Sequence, residues 1–177
     1  MATKKIIVVS TDFGVEQPEI EVPVARLKEL GHDVTVATPS GEDVQTFVND
    51  KDRGVVFPVD IKLADAADEY DVVVLPGGTL NSDAARMDEQ IQRIVKAQAD
   101  AGRTVAAVCH APWVLVQTGL AQGKTLTGYE SVREDLANAG ATVVDEAVKV
   151  CPANGWTPIT SRTPDDLDDF VAAIDQA

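Results

Sequence analysis

TVAAVCHAPWVLVQ, residues Thr104–Gln117, changes character at its middle. Thr104 to Val108 is a short apolar, β-branched run behind a Gly102-Arg103 turn, the pattern of a buried strand. Beyond Cys109 the spacing of Trp113, Val114 and Val116-Gln117 follows Pro112, a residue suited to a first helical turn. Cys109 therefore falls where a strand stops and a helix starts. There the side chain is held clear of the sheet, and its sulfur is expected near the positive end of a helix, which favours thiolate over thiol. His110 follows as a proton carrier. The arrangement reads as a nucleophile elbow with cysteine in the place of serine. A cysteine after an apolar strand also reads as a small buried hydrophobe.

Outward from the elbow, strands and helices alternate. Lys5 to Ser10 (KIIVVS) is a buried strand and Thr11 to Val15 a loop. Pro18 opens a helix through Leu30, closed by Gly31, in which Pro23 is expected to cause a kink or a shifted start. Asp33 to Thr38 is the next strand, so the first unit is a right-handed βαβ on a parallel sheet. Pro39 to Lys62 alternates weakly and is expected to hold one or two short strands off the main sheet. Asp71 to Leu75 (DVVVL) is a buried strand ending in Pro76-Gly77-Gly78, and Asp88 to Ala101 is helical. After the elbow come Lys124 to Thr127, a helix from Ser131 to Ala139, and strands near Thr142 to Val144 and Val148 to Cys151. Ile159 to Ser161 and a helix from Asp165 to Ile174 follow. Residues 1–177 show no repeat or linker and are expected to form a single α/β domain, a three-layer sandwich about a mostly parallel sheet.

Composition narrows the function classes. The 177 residues suffice for a real core, and the formal charge of −14 argues against nucleic acid and anionic membranes as partners. So acidic a surface also suits a high-salt cytoplasm, a reading that requires stability to rise with added salt. No stretch reaches membrane-span length, and MATKK leads into a strand rather than a signal peptide, so a soluble, cytoplasmic protein is expected. Two cysteines, Cys109 and Cys151, are too few for a disulfide scaffold. No GxGxxG follows the first strand, no GxxxxGK[ST] occurs, and the two histidines have no paired-ligand spacing, so neither cofactor nor metal is expected. His32, in the turn GHD, is expected at the surface without a role, and Cys151 is assigned a structural or incidental one.

In an open parallel sheet, ligands bind beyond the carboxyl ends of the strands. Glu16 and Glu19 follow the first strand, Gly77-Gly78 the DVVVL strand, and Cys109-His110 the elbow strand, so topology brings all three to one rim. Glu19 also reads as an ordinary acid in a first helical turn, and Gly77-Gly78 as a plain turn. Together with the His110 N–H, the glycine backbone could form an oxyanion hole.

The segments FGVEQPEIEVP, LPGGTLNSDAARMD, AAVCHAPWVL, LTGYESVREDLANAGA and ITSRTPDDLDDF run nearly end to end in the order of a known pattern. The chain resembles the ThiJ/PfpI superfamily, within the class I glutamine amidotransferase-like, flavodoxin-like folds, and in particular its PfpI-type branch. The resemblance implies that Cys109 is the nucleophile, His110 its partner, and Glu19 the carboxyl that meets the sulfur. It implies that Gly78, with Gly77 beside it and the His110 backbone, forms the oxyanion site. Glu16 matches a second acidic position of the same loop. Asp83 matches an acid supplied from a neighbouring subunit to orient the histidine, which implies a homodimer or hexamer. Ala111, where many members have Gly, and the lengthened CPANGW turn with Trp156 depart from the pattern. The activities implied are a stress-protective glyoxalase or deglycase acting on small reactive carbonyls or glycated protein, a cysteine peptidase, or, without turnover, a redox-sensing or chaperone-like stress protein.

Overall fold

Burial of both faces explains the apolar runs. The computed structural model describes residues 2–67 and 69–177. In chain order they form β1 (Lys5–Val9), β2 (Phe13–Glu16), α1 (Gln17–Glu29), β3 (Asp33–Thr38), β4 (Val44–Val48), β5 (Asp52–Phe57), β6 (Ile61–Lys62) and β7 (Val72–Leu75). Then follow α2 (Thr79–Met87), α3 (Glu89–Asp100), β8 (Thr104–Val108), α4 (Trp113–Gln117), β9 (Thr125–Leu126), α5 (Arg133–Asn138), β10 (Thr142–Val143), β11 (Val148–Val150), β12 (Thr157–Ser161) and α6 (Leu167–Gln176). The seven-stranded sheet has the order β11-β12-β8-β7-β1-β3-β6 and is parallel except at β11.

Alternate residues of each central strand serve opposite layers. Ile7, Val9, Val73, Leu75, Val105 and Ala107 pack with Ile91 and Val95 of α3 and Val114 and Leu115 of α4. Ile6, Val8, Val72, Val74, Ala106 and Val108 pack with Ile20, Val24 and Leu27 of α1 and Phe170, Val171 and Ile174 of α6. A strand covered on both sides keeps no polar face, so it reads as a continuous apolar run. The chain is thus the expected α/β sandwich with a mostly parallel central sheet.

Several local expectations are corrected. Thr11 to Val15 is not simply a loop, because Phe13–Glu16 pairs with β4 in a small sheet of order β2-β4-β5. β6, in contrast, joins the edge of the main sheet. α1 starts at Gln17 and runs through Pro23, which lies inside the helix. α2, directly after the glycine pair, is a helix that the apolar spacing does not announce. His32 is buried rather than exposed: Nε2 meets Asp175 Oδ1 at 2.9 Å and Nδ1 accepts the Lys4 N–H at 3.2 Å, because the carboxyl end of α6 closes over this turn. In the CPANGW turn, Trp156 is buried beneath Lys124, whose ammonium lies 4.5 Å from the ring centroid and donates to the carbonyls of Ala153 and Trp156. Cys151 is buried beside this turn and its sulfur accepts the Thr125 N–H. Among the described residues no helix is long and apolar enough to cross a membrane.

Candidate active site

The site lies past the carboxyl ends of β1, β7 and β8. At the end of β8, Cys109 adopts φ +62°, a left-handed conformation uncommon outside glycine. The surrounding structure holds it there: the Cys109 N–H donates to the Ser161 carbonyl at 3.0 Å and its carbonyl accepts from the Tyr129 N–H at 2.8 Å. Turn hydrogen bonds from Ala111 N–H to Val108 and from Trp113 N–H to His110 complete the elbow. The result places Cys109 Sγ 3.1 Å from His110 Nδ1. Tyr129 stacks on the imidazole at 4.5 Å between centroids and Trp113 meets it edge-on at 5.2 Å.

Gly77 and Gly78 let β7 end against this turn. A Cβ on Gly77 would collide with Glu19 Oε2, the Val108 carbonyl and Cys109 Cβ. Gly78, at φ +84°, leaves no room for a Cβ against Gly14 O and the Glu16 amide. Buried Asn81 ties the two loops together, with Nδ2 donating to the Pro76 and Gly77 carbonyls and Oδ1 accepting the Thr11 N–H. The backbone N–H groups of Gly78 and His110 lie near the cysteine sulfur and favour its anion.

Glu19, in the first turn of α1, is fully buried. Its Oε2 accepts the Gly77 N–H at 2.8 Å, while the buried Oε1 has no hydrogen-bond partner; the carboxyl lies beside the Cys109 thiol. Burial pushes the carboxyl up to about 8, outweighing the hydrogen bonds from Cys109 and Gly77 that favour the anion. The Cys109 thiol is also pushed up, by burial first and then by the charge of Glu19. This overturns the expectation that a helix end favours the thiolate. α4 spans only Trp113–Gln117, beyond the turn, and burial beside a carboxyl dominates. A neutral Glu19 removes the repulsion and leaves a donor facing sulfur, so the pair holds one negative charge far more readily than two. Burial also lowers the His110 pKa, against a smaller opposing effect of Asp50.

Glu16 is buried at the junction of β2 and α1, where its carboxylate accepts the N–H groups of Asn49 at 2.8 Å and Asp50 at 3.0 Å. Both residues are left-handed, with φ +55° and +54°, at the tip between β4 and β5. Asp50 in turn accepts the Thr79 N–H and hydroxyl, each at 2.8 Å. His110 Nε2 lies 3.3 Å from both Thr79 Oγ1 and Ser131 Oγ. The resulting cavity, about 170 Å³, is lined by Glu16, Glu19, Asn49, Asp50, Cys109, Tyr129 and Pro164.

Cys109, His110, Glu19, Glu16, Gly77 and Gly78 therefore meet at one rim, whereas Asp83 stands apart, exposed on α2. Asp50, Thr79, Ser131 and Tyr129 belong to the site but went unnoticed in the sequence. Thr79 adjoins the glycine pair and could have been found there; the position of Asp50 depends on a strand pairing that no local spacing reveals. Among the described residues no set of three His, Cys, Asp or Glu side chains is arranged to hold a metal ion.

A buried cysteine in a strained turn, next to histidine and a largely neutral carboxyl, can attack an electrophilic carbon and exchange protons. The DJ-1/PfpI family model matches residues 4–176. The chain belongs to the DJ-1/PfpI family. It is 36% identical to general stress protein 18 of Bacillus subtilis over 168 residues, 94% of this chain and 93% of that one. It is 34% identical to a protein of Thermococcus kodakarensis named deglycase TK1284 over 164 residues, 92% of each chain. The crystal structure of Drosophila melanogaster DJ-1beta superposes with a TM-score of 0.84 at 35% identity, covering 98% of this chain and 89% of that one.

Proposed function

We propose that this DJ-1/PfpI protein is a cofactor-independent enzyme that converts small reactive carbonyls, as a glyoxalase or deglycase, with Cys109 as nucleophile. The observation that carries the reading is the Cys109 Sγ–His110 Nδ1 pair, 3.1 Å apart, with Cys109 lining a cavity of about 170 Å³. Drug-sized ligands occupy roughly 300–1,000 Å³, so this space suits a molecule of a few heavy atoms and is poorly shaped for a polypeptide. The name deglycase, carried by a relative similar along nearly its whole length, agrees with it.

His110 Nδ1 takes the thiol proton as sulfur adds to the aldehyde carbon of a 2-oxoaldehyde, giving a hemithioacetal. The N–H groups of Gly78 and His110 face the new oxyanion. Glu19 or His110 moves a proton between the two adjacent carbons, which leaves a 2-hydroxyacyl thioester on Cys109. Water then cleaves the thioester to a 2-hydroxy acid and the free thiol. The redox-sensor reading is weaker, because it leaves His110, paired with the sulfur at 3.1 Å, without a task.

Assembly belongs to the same proposal. Asp83 shares an exposed face of α2 with Leu80 and Met87, which are 49% and 65% exposed, an apolar stripe suited to a second copy of this chain. In such a dimer or hexamer Asp83 would approach the His110 of a neighbour.

Methylglyoxal turnover to lactate, run beside a peptidase assay on wild type and Cys109→Ala, tests the reading. Wild type is expected to form lactate and cleave no peptide, with at least about a thousandfold loss in Cys109→Ala. Lactate formation that survives Cys109→Ala intact overturns it.

A further inference from the structure

We infer that Asp50 is a positioning residue for His110, acting through the Thr79 hydroxyl within one chain, an inference that rests on the carbonyl reading for its kinetic test. The argument is one of donors and acceptors. An ionised Asp50 carboxylate only accepts, so at 2.8 Å the Thr79 hydroxyl spends its single proton on Oδ2. Thr79 Oγ1 is then an acceptor toward His110 Nε2, 3.3 Å away, and favours the ring proton on Nε2; Ser131 Oγ, also 3.3 Å from Nε2, is a hydroxyl that can accept the same proton. In the neutral imidazole Nδ1 is left with a lone pair, and Nδ1 is the atom 3.1 Å from the Cys109 sulfur. Asp50 thereby selects the tautomer in which His110 can take the thiol proton, and its charge supports the imidazolium that results.

The hairpin tip is built to hold that carboxylate still. Asn49 and Asp50 are consecutive left-handed residues, and the buried Glu16 carboxylate takes both of their N–H groups. Asp50 Oδ1 also accepts the Thr79 N–H, so both carboxylate oxygens are fixed. The other titratable groups about the ring are Cys109 at Nδ1 and Tyr129 stacked on its face, with Glu19 beyond the sulfur.

The plain alternative is that Asp50 merely caps α2 by accepting the Thr79 N–H. Asp50→Asn separates the two roles. Asn caps helices as well as Asp and tolerates the left-handed conformation, so the fold and the cap survive while the charge is lost. Thr79→Val removes the hydroxyl and keeps the N–H.

With methylglyoxal, Asp50→Asn and Thr79→Val are each expected to lower kcat about tenfold or more with KM within about twofold. The double variant should be no worse than the more impaired single one, and Thr79→Ser should restore most of the rate. The rising, His110-linked limb of the pH profile should move to lower pH in Asp50→Asn, because the charge that supports the imidazolium is gone. Wild-type kcat in either single variant, independent losses in the double, or an unmoved limb overturns the inference. A second readout needs no turnover. The chain holds two histidines, so 15N-labelled imidazoles can be followed individually. His110 is expected as the Nε2–H tautomer, titrating at lower pH in Asp50→Asn; an Nδ1–H tautomer or an unshifted titration overturns the inference even if methylglyoxal is not a substrate.

Discussion

Cys109 Sγ and His110 Nδ1 lie 3.1 Å apart although the two residues are neighbours in the chain. Successive side chains in an extended strand point to opposite faces. The φ of +62° at Cys109 cancels that divergence and brings the two groups together at the edge of the cavity that Cys109 lines. The strained turn thus brings a thiol and an imidazole together from a single dipeptide, and the groups around them adjust their protons.

Glu19 gives the first prediction. Its folded pKa of about 8 stands above the unfolded value of 4.5, so between those pH values the folded state binds more protons than the unfolded one. The stability linked to Glu19 is complete below the unfolded value and is lost as pH rises toward 8. Wild type should therefore lose a few kcal/mol across that window relative to Glu19→Gln, measured by denaturant unfolding at a series of pH values. Parallel pH curves for the two proteins would contradict the buried, proton-holding carboxyl. Above pH 8 the same substitution should also speed alkylation of Cys109, since it removes the neighbouring negative charge.

Gly77 gives the second. A methyl group there meets Glu19 Oε2, the Val108 carbonyl and Cys109 Cβ together, and two of these belong to the elbow itself. Gly77→Ala should lower Tm by more than about 5 °C, equivalent to roughly 2 kcal/mol, and should suppress turnover in the fraction that folds. A variant with unchanged Tm and activity would mean that β7 and the elbow do not press together as described.

The third concerns Asp83. Neither Cys109→Ser nor Asp83→Ala chains should turn over methylglyoxal alone if Asp83 serves a neighbour's histidine. Mixed and reassembled, they should regain up to about a quarter of wild-type activity, since an oligomer can pair one intact cysteine with one intact aspartate. Absence of recovery in mixed oligomers verified by native mass spectrometry would confine the orienting carboxylate to the chain itself, where Asp50 stands.

What the sequence determined by itself is the layered fold and the rim at which the site lies. Apolar runs such as KIIVV and TVAAV are uninterrupted because each strand is buried on both faces, and the change of spacing after Cys109 marks the end of a strand. These are local signals, written within a few residues. Tertiary structure decided the rest. His32 is buried because α6, far along the chain, closes over its turn; Asp50 reaches Thr79 because β2, β4 and β5 pair into their own small sheet. The protonation of Cys109 was decided there too. A helix terminus can be read from sequence, but the desolvation that outweighs it comes from packing Glu19 and the Gly77-Gly78 backbone against the sulfur, and only the assembled core supplies that.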